Sequence, residues 1–171
     1  MRIFQSDKEK RIAEGIRKGS HTAMKELYDE WSGYLFALCL RYVPDRETAG
    51  DILQDSLVKI FSNAGSFSYK GPGSLKAWIS RIAVNEALQY LRKKKGGEMI
   101  EYKDSLPDIV SEEPEEADIG KIPANVLQKM IEELPEGYRT IFNLFVFEEM
   151  SHKEIAAALG ISESTSASQF H

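Results

Sequence analysis

Between Ser74 and Lys95 the apolar residues Leu75, Trp78, Ile79, Ile82, Ala83, Ala87, Tyr90 and Leu91 recur at three- and four-residue steps. That spacing predicts one apolar stripe on a helix of about six turns, with Ser74 placed to cap its start and Gly96-Gly97 to stop it. The same reading predicts three helices before it. Ser6-Asp7-Lys8-Glu9 has the form of a capping box and opens a short helix to about Lys18. Gly19-Ser20 precedes a long helix to about Tyr42, with Ala23, Leu27, Trp31, Tyr34, Leu35, Leu38 and Cys39 on its apolar side. Pro44-Asp45 breaks it, and Asp45 or Thr48 caps a third helix whose inward residues are Ala49, Ile52, Leu53, Leu57, Ile60 and Phe61. Asn63-Ala64-Gly65-Ser66 and Lys70-Gly71-Pro72-Gly73 bracket Phe67-Ser68-Tyr69 as a loop with two aromatics.

Residues 96–122 lose all periodicity and mix Gly and Pro with nine acids, the composition of a flexible linker. Helical spacing returns from Ala124 to Leu134 and from Tyr138 to Glu148, interrupted by Pro135-Glu136-Gly137. Ser151-His152-Lys153-Glu154 is a second capping box, and Ile155, Ala156, Leu159, Gly160 and Ile161 follow before a new start at Ser162. Helix, tight turn and second helix are the signature of a helix-turn-helix, although a plain helical hairpin has the same outline. The fold class expected is all-α: two small helical domains, residues 1–95 and 123–171, joined by an acidic flexible linker at 96–122.

Composition narrows the function. An apolar share of 42% with 29% charged residues suits one sizeable core or two small ones and excludes a membrane protein. The N-terminus lacks the apolar segment of a signal peptide, so a cytoplasmic location is expected. The lone Cys39 lies among apolar neighbours and reads as a buried thiol; His21, His152 and His171 have no paired spacing, so neither a metal site nor a cofactor is expected.

The net charge of −5 is unevenly spread. Residues 69–95 hold Lys70, Lys76, Arg81, Arg92, Lys93, Lys94 and Lys95 against Glu86 alone. A local basic stripe sets the field a phosphate backbone meets, whatever the total. The front of the fourth helix, with Lys76, Ser80, Arg81, Asn85, Gln89 and Arg92, therefore reads either as a surface for phosphates and base edges or as a solvated face. The acidic linker is a plain tether, or a competitor with nucleic acid for that helix.

Three segments carry a family resemblance: Asp51-Ile52-Leu53-Gln54-Asp55 continuing to Phe61; Lys76-Ala77-Trp78-Ile79-Ser80-Arg81-Ile82-Ala83-Val84-Asn85 running on to Arg92; and Leu134-Pro135-Glu136-Gly137-Tyr138-Arg139 with Ile155-Ala156 and Leu159-Gly160-Ile161. In order and spacing they resemble the extracytoplasmic-function (ECF) branch of the bacterial sigma factors, the dissociable subunits that direct RNA polymerase to promoters.

The resemblance implies a polymerase-binding surface at Asp51, Gln54, Asp55 and Lys59, suited to the clamp helices of the core enzyme, with the flap as a second contact. It implies minus-ten recognition and strand opening through Phe67, Tyr69, Lys70, Lys76, Ser80, Arg81, Asn85 and Arg92. A displaced strand needs cations along its backbone and pockets or stacking surfaces for its bases, and residues 66–95 offer both. Trp78 sits on the apolar stripe and reads as core rather than as a stacking surface. Minus-thirty-five recognition falls to Ser162, Ser164, Thr165, Ser168, Gln169 and His171, where the family pattern is basic but this chain has no Lys or Arg. The expectation is a chain ending inside its recognition helix, or an atypical upstream contact. Promoter DNA, core polymerase and an anti-sigma protein are the partners implied; a small-molecule substrate is not. A stand-alone helix-turn-helix regulator and an enzyme are the rival classes, the second without a glycine-rich phosphate loop or a nucleophile paired with a base.

Overall fold

The computed structural model describes residues 2–96 and 122–170, and among them every regular element is helical. In chain order the helices are α1 (Arg2–Arg17), α2 (His21–Tyr42), α3 (Arg46–Asn63), α4 (Ser74–Lys94), α5 (Ala124–Glu132), α6 (Glu136–Phe142), α7 (His152–Leu159) and α8 (Glu163–Phe170). The expected linker lies, but for Gly96 and Ile122, outside the described residues, as does His171.

Helices α1–α4 pack around one another, and the predicted stripes face inward. Leu27, Leu35, Leu38 and Cys39 of α2, Ala49, Ile52, Leu57 and Ile60 of α3, and Leu75, Ile79, Ala83, Ala87 and Leu91 of α4 are buried. Val84 and Leu88 extend the α4 stripe, so more than one side of this helix is enclosed. Burial pushes the Cys39 thiol up to about 12, as expected of an inert core cysteine. Close approach of α1 and α2 requires glycine: a Cβ on Gly15 would stand 2.4 Å from the Ala23 Cβ.

Side-chain caps open α2 and α3 where expected. Ser20 Oγ accepts from the Ala23 N–H at 3.3 Å, and Asp45 Oδ2 from the Thr48 N–H at 2.9 Å. Two expectations fail. α1 already runs from Arg2, so Ser6 opens nothing, and Glu9 is turned away from its own helix start. Ser74 does not cap α4; its hydroxyl donates to the Gly71 carbonyl at 2.6 Å and accepts from the Lys70 N–H at 3.2 Å, stapling the preceding turn.

The second group is smaller. The Ser151–Glu154 capping box is formed, Gly160 ends α7 in the left-handed region at φ 65°, and α8 packs across α7. Instead of one helix from Tyr138 to Glu148, α6 passes into a π-helical turn over Asn143–Phe147. The widening falls where the Asn143 carboxamide donates to the Arg41 carbonyl at 2.8 Å and to the Arg139 carbonyl at 2.9 Å. Arg139, buried, donates from Nε to the Tyr42 carbonyl at 3.1 Å and from Nη1 to Leu134 at 2.6 Å. Side chains of α6 and the π-helical turn thus satisfy the last carbonyls of α2, which an isolated helix leaves to water. Ile141, Leu144, Met150, Ile155 and Ala158 join the same apolar cluster as α1–α4.

Candidate nucleic-acid interface

On α3 the stripe Ala49, Ile52, Leu57 and Ile60 is spent on the core, which leaves Asp51, Gln54, Asp55 and Lys59 exposed on the outer side as expected. Lys59 leans back to α4 and pairs with Glu86, so it belongs to the α3–α4 junction. Among the acids stands Val58, 64% exposed. Its signal in the sequence is an apolar residue off the inward stripe, four residues after Gln54, and it is absent from the expected contacts.

The loop before α4 is anchored at both ends. Phe67, expected to enclose a base, is instead 8% exposed, with its ring 4.8 Å from that of Trp78. The two rings pack on each other at the core's edge, so Trp78 serves the core as read and Phe67 is unavailable at the surface. Tyr69 is half-buried, while Ser68 and Lys70 are exposed. The far end of the loop is held from a distance: Glu9 of α1 accepts the Gly73 N–H at 2.8 Å and the Leu75 N–H at 2.9 Å. No local pattern could have found this contact, because donor and acceptor lie more than sixty residues apart.

Along α4 the predicted residues separate. Ser80 is 9% exposed; its hydroxyl donates to the Lys76 carbonyl at 2.7 Å and lies 3.1 Å from the Tyr34 hydroxyl, so it faces inward rather than toward a base. Lys76 is exposed, with its ammonium 4.6 Å from the Tyr34 ring centre. Arg81 and Asn85 are half-buried, and the Asn85 Oδ1 lies beneath the surface with no hydrogen-bond partner among the described residues. Buried acceptors are normally paired, which sets this one apart on α4.

The C-terminal end of α4 meets the second group. Arg92 donates to the Ala158 carbonyl, and Lys94 and Lys95 reach Glu136 at 3.1 and 3.4 Å. Burial pushes the Glu136 carboxyl up, but the ammoniums of Lys94 and Lys95 outweigh it and hold the group below its ordinary range. Glu148 shows the opposite balance: burial raises it, against the charges of Arg41 and Arg81 and the Tyr42 hydroxyl. Three cations of the basic run are therefore engaged by Glu136 of α6 and the Ala158 carbonyl of α7.

On α8, Ser162 caps the helix, accepting from the Thr165 N–H at 3.1 Å, and lies 3.0 Å from the Ser164 hydroxyl. Ser164 and Ser168 are exposed and Thr165 half-buried. Gln169 lies over α6, since a Cβ on Gly137 would stand 3.2 Å from its Oε1; it is not directed outward as expected. His171 lies outside the described residues. Ser166 is fully buried and hydrogen-bonds the His152 Nδ1 at 2.9 Å, while Phe170 packs 4.4 Å from Phe145, which together seat α8 on its neighbours. Among the described residues no cluster of His, Cys, Asp or Glu could hold a metal, and no helix is long and apolar enough to cross a membrane.

Residues 27–96 match the family model for sigma-70 region 2, and residues 124–171 that for sigma-70 region 4. The chain is 29% identical to the ECF RNA polymerase sigma factor SigW of Bacillus subtilis over 95% of its own length and 90% of the relative's. It is 26% identical to the RNA polymerase sigma-H factor of Pseudomonas aeruginosa, over 92% and 85% of the two chains. With the ECF RNA polymerase sigma-E factor of Salmonella typhimurium the identity is 28%, over 86% and 81%.

Proposed function

The chain belongs to the ECF branch of the sigma-70 family and directs RNA polymerase to promoters, and from that premise we propose how it divides the work. Like its family it is an initiation factor and not an enzyme. Residues 1–95 form the domain that binds core polymerase and holds the opened minus-ten strand, residues 96–122 the tether, and residues 123–171 the domain for upstream duplex. The bacterial cytoplasm, where polymerase works, is its location.

The observation that carries this reading is the sorting of α3 and α4. Their apolar stripes are consumed by one core, while Asp51, Gln54, Asp55 and Val58 remain outside on α3. Carboxylates around an apolar centre suit a basic helix such as those of the polymerase clamp. On α4 and its loop, Lys70, Lys76, Arg81 and Arg92 meet strand phosphates, Tyr69 offers a ring for an unstacked base, and half-buried Asn85 reaches a base edge by turning its carboxamide outward. The α7–α8 pair presents Ser164, Thr165 and Ser168 to the upstream duplex, with the polymerase flap at its side.

Minus-ten and minus-thirty-five elements lie about 25 base pairs apart, which is roughly 85 Å of duplex at about 34 Å per ten-pair turn. Helices that touch through Arg92 and Ala158 cannot occupy both. The two domains therefore separate on the promoter, and the described arrangement is that of the factor off DNA. An anti-sigma protein would act by holding the same surfaces closed.

The test is copurification with core polymerase. Reversing the charges in Asp51→Lys/Asp55→Lys should weaken binding to core enzyme while helix content stays unchanged, because exposed substitutions alter folding by only about 0.5 kcal/mol. Unaltered affinity would remove the assignment of this face.

A further inference from the structure

We propose that Glu9 is a positioning residue for promoter-strand recognition: from α1, it fixes the loop Phe67–Gly73 and the first turn of α4 so that Tyr69, Lys70 and Lys76 meet the opened strand in one register. The inference rests on the assignment of α4 and its loop as the strand-binding face. Glu9 itself lies outside residues 27–96, the segment that matches sigma-70 region 2.

Four observations converge on this carboxylate. It is 8% exposed, and each oxygen accepts a different backbone N–H, Gly73 at 2.8 Å and Leu75 at 2.9 Å. Those donors belong to the start of a 21-residue helix, where unpaired N–H groups and the helix dipole favour an anion. The local residue that should have done this is committed elsewhere, since the Ser74 hydroxyl is bonded to Gly71 and Lys70. The turn it closes contains two residues in the positive-φ range, Gly71 at 130° and Gly73 at 83°, so the loop has backbone freedom that something must restrain.

The consequence is chemical as well as mechanical. A glycine-rich turn leading into a helix N-terminus is a ready seat for phosphate. With Glu9 in that seat, a strand phosphate is repelled from the end of α4 and directed along its side, toward Lys76 and Arg81. The carboxylate thereby restricts where the backbone lies, and with it which base comes opposite Asn85 and Tyr69. Glu9 touches no nucleotide in this scheme; it acts through the loop.

The experiment compares full-length Glu9→Gln and Glu9→Ala factors, each assembled with core polymerase, for binding to a single-stranded minus-ten oligonucleotide and to a scrambled oligonucleotide of the same length. The preference for the promoter sequence should fall by about tenfold in Glu9→Ala, the scale expected for loss of hydrogen bonds to a charged group. Affinity for the scrambled strand should hold or rise as the phosphate seat opens, and affinity for core polymerase should be unchanged. Glu9→Gln, which retains an acceptor and folds without a cavity, should restore part of the preference. A purely structural cap would lower both oligonucleotides alike, and that result overturns the proposal. So does an unaltered preference in both variants while the control Lys76→Ala/Arg81→Ala/Arg92→Ala loses strand binding, in which case the strand-binding face stands without Glu9. If the control is also silent, the assignment of the face fails and Glu9 with it.

Discussion

Helices α4 and α8 are the two elements assigned to DNA, and they are built in opposite ways. α4 is a core helix: Leu75, Ile79, Ala83, Val84, Ala87, Leu88 and Leu91 are buried, and its chemistry occupies what remains of its surface. α8 buries only Ser166 and is seated by a capping hydroxyl and the ring of Phe170. α4 and its C-cap carry four consecutive cations, Arg92 to Lys95, whereas Ser162 to His171 contains no Lys or Arg. If those assignments hold, the buried stripe and the cations of α4 supply rigidity and affinity where a strand must be held open, while residues 162–171 offer hydroxyl contacts without Lys or Arg for counterion release.

The comparison breaks most visibly in the core. Ile79→Ala should destabilise the chain by about 2–5 kcal/mol, the usual cost of emptying a fully buried aliphatic site. Ser166→Ala, which leaves the His152 ring nitrogen without its partner, should cost about 1–3 kcal/mol. Urea midpoints would compare the two; equal losses would mean that α8 is as deeply integrated as α4.

Charge is the next axis. Replacing Lys76, Arg81 and Arg92 together by Ala should lower the log–log salt slope of single-strand binding by holoenzyme by about 2, at roughly 0.7 per phosphate contact. The matched trio Ser164→Ala, Thr165→Ala and Ser168→Ala should leave the slope of duplex binding where it was. For the same reason the 171-residue chain without polymerase should bind upstream duplex poorly at physiological salt in a gel-shift assay. Strong, specific binding there would show that upstream recognition does without cationic contacts to flanking phosphates. Asn85→Ala should change base preference by about 1–3 kcal/mol at a single minus-ten position while leaving the salt slope alone. A uniform loss across sequences would move Asn85 from base reading to loop support.

The smallest effect concerns the seam between the two helical groups. Glu148 is raised above its ordinary 4.5 chiefly by burial, so the packed state binds its proton more tightly than the unfolded chain does. Stability from this group therefore grows as pH falls from neutrality toward 4.5 and is lost as pH rises through the packed-state value. Glu148→Gln should be the more stable protein at pH 7, with the advantage shrinking on acidification. A constant difference across that range in urea titrations would mean that Arg41 and Arg81 already compensate the buried charge.

Local information was enough for much of this. The apolar spacing of α2, α3 and α4 fixes which side of each helix is inward, because one exposed face and one buried face cannot be exchanged without losing the core. Ser20, Asp45 and Ser151 are caps whose donors lie three residues away, so their roles are written within one turn of chain. The block of cations from Arg92 to Lys95 and the order of the two sigma segments are likewise properties of the chain alone. The exceptions each involve a partner far away in sequence. Phe67 and Ser80 have the right residue types for strand contacts, but Trp78 and Tyr34 draw them inward. Gln169 folds over Gly137, and Arg139 and Asn143 leave their own helix to satisfy the carbonyls of α2. Glu9 sits within a plausible local capping box, yet its carboxylate serves a helix that begins 65 residues later. Periodicity and capping act over one or two turns of helix and so are determined by sequence directly. Which polar side chain meets which orphaned backbone group is decided only when distant helices close around one core, since until then water satisfies both.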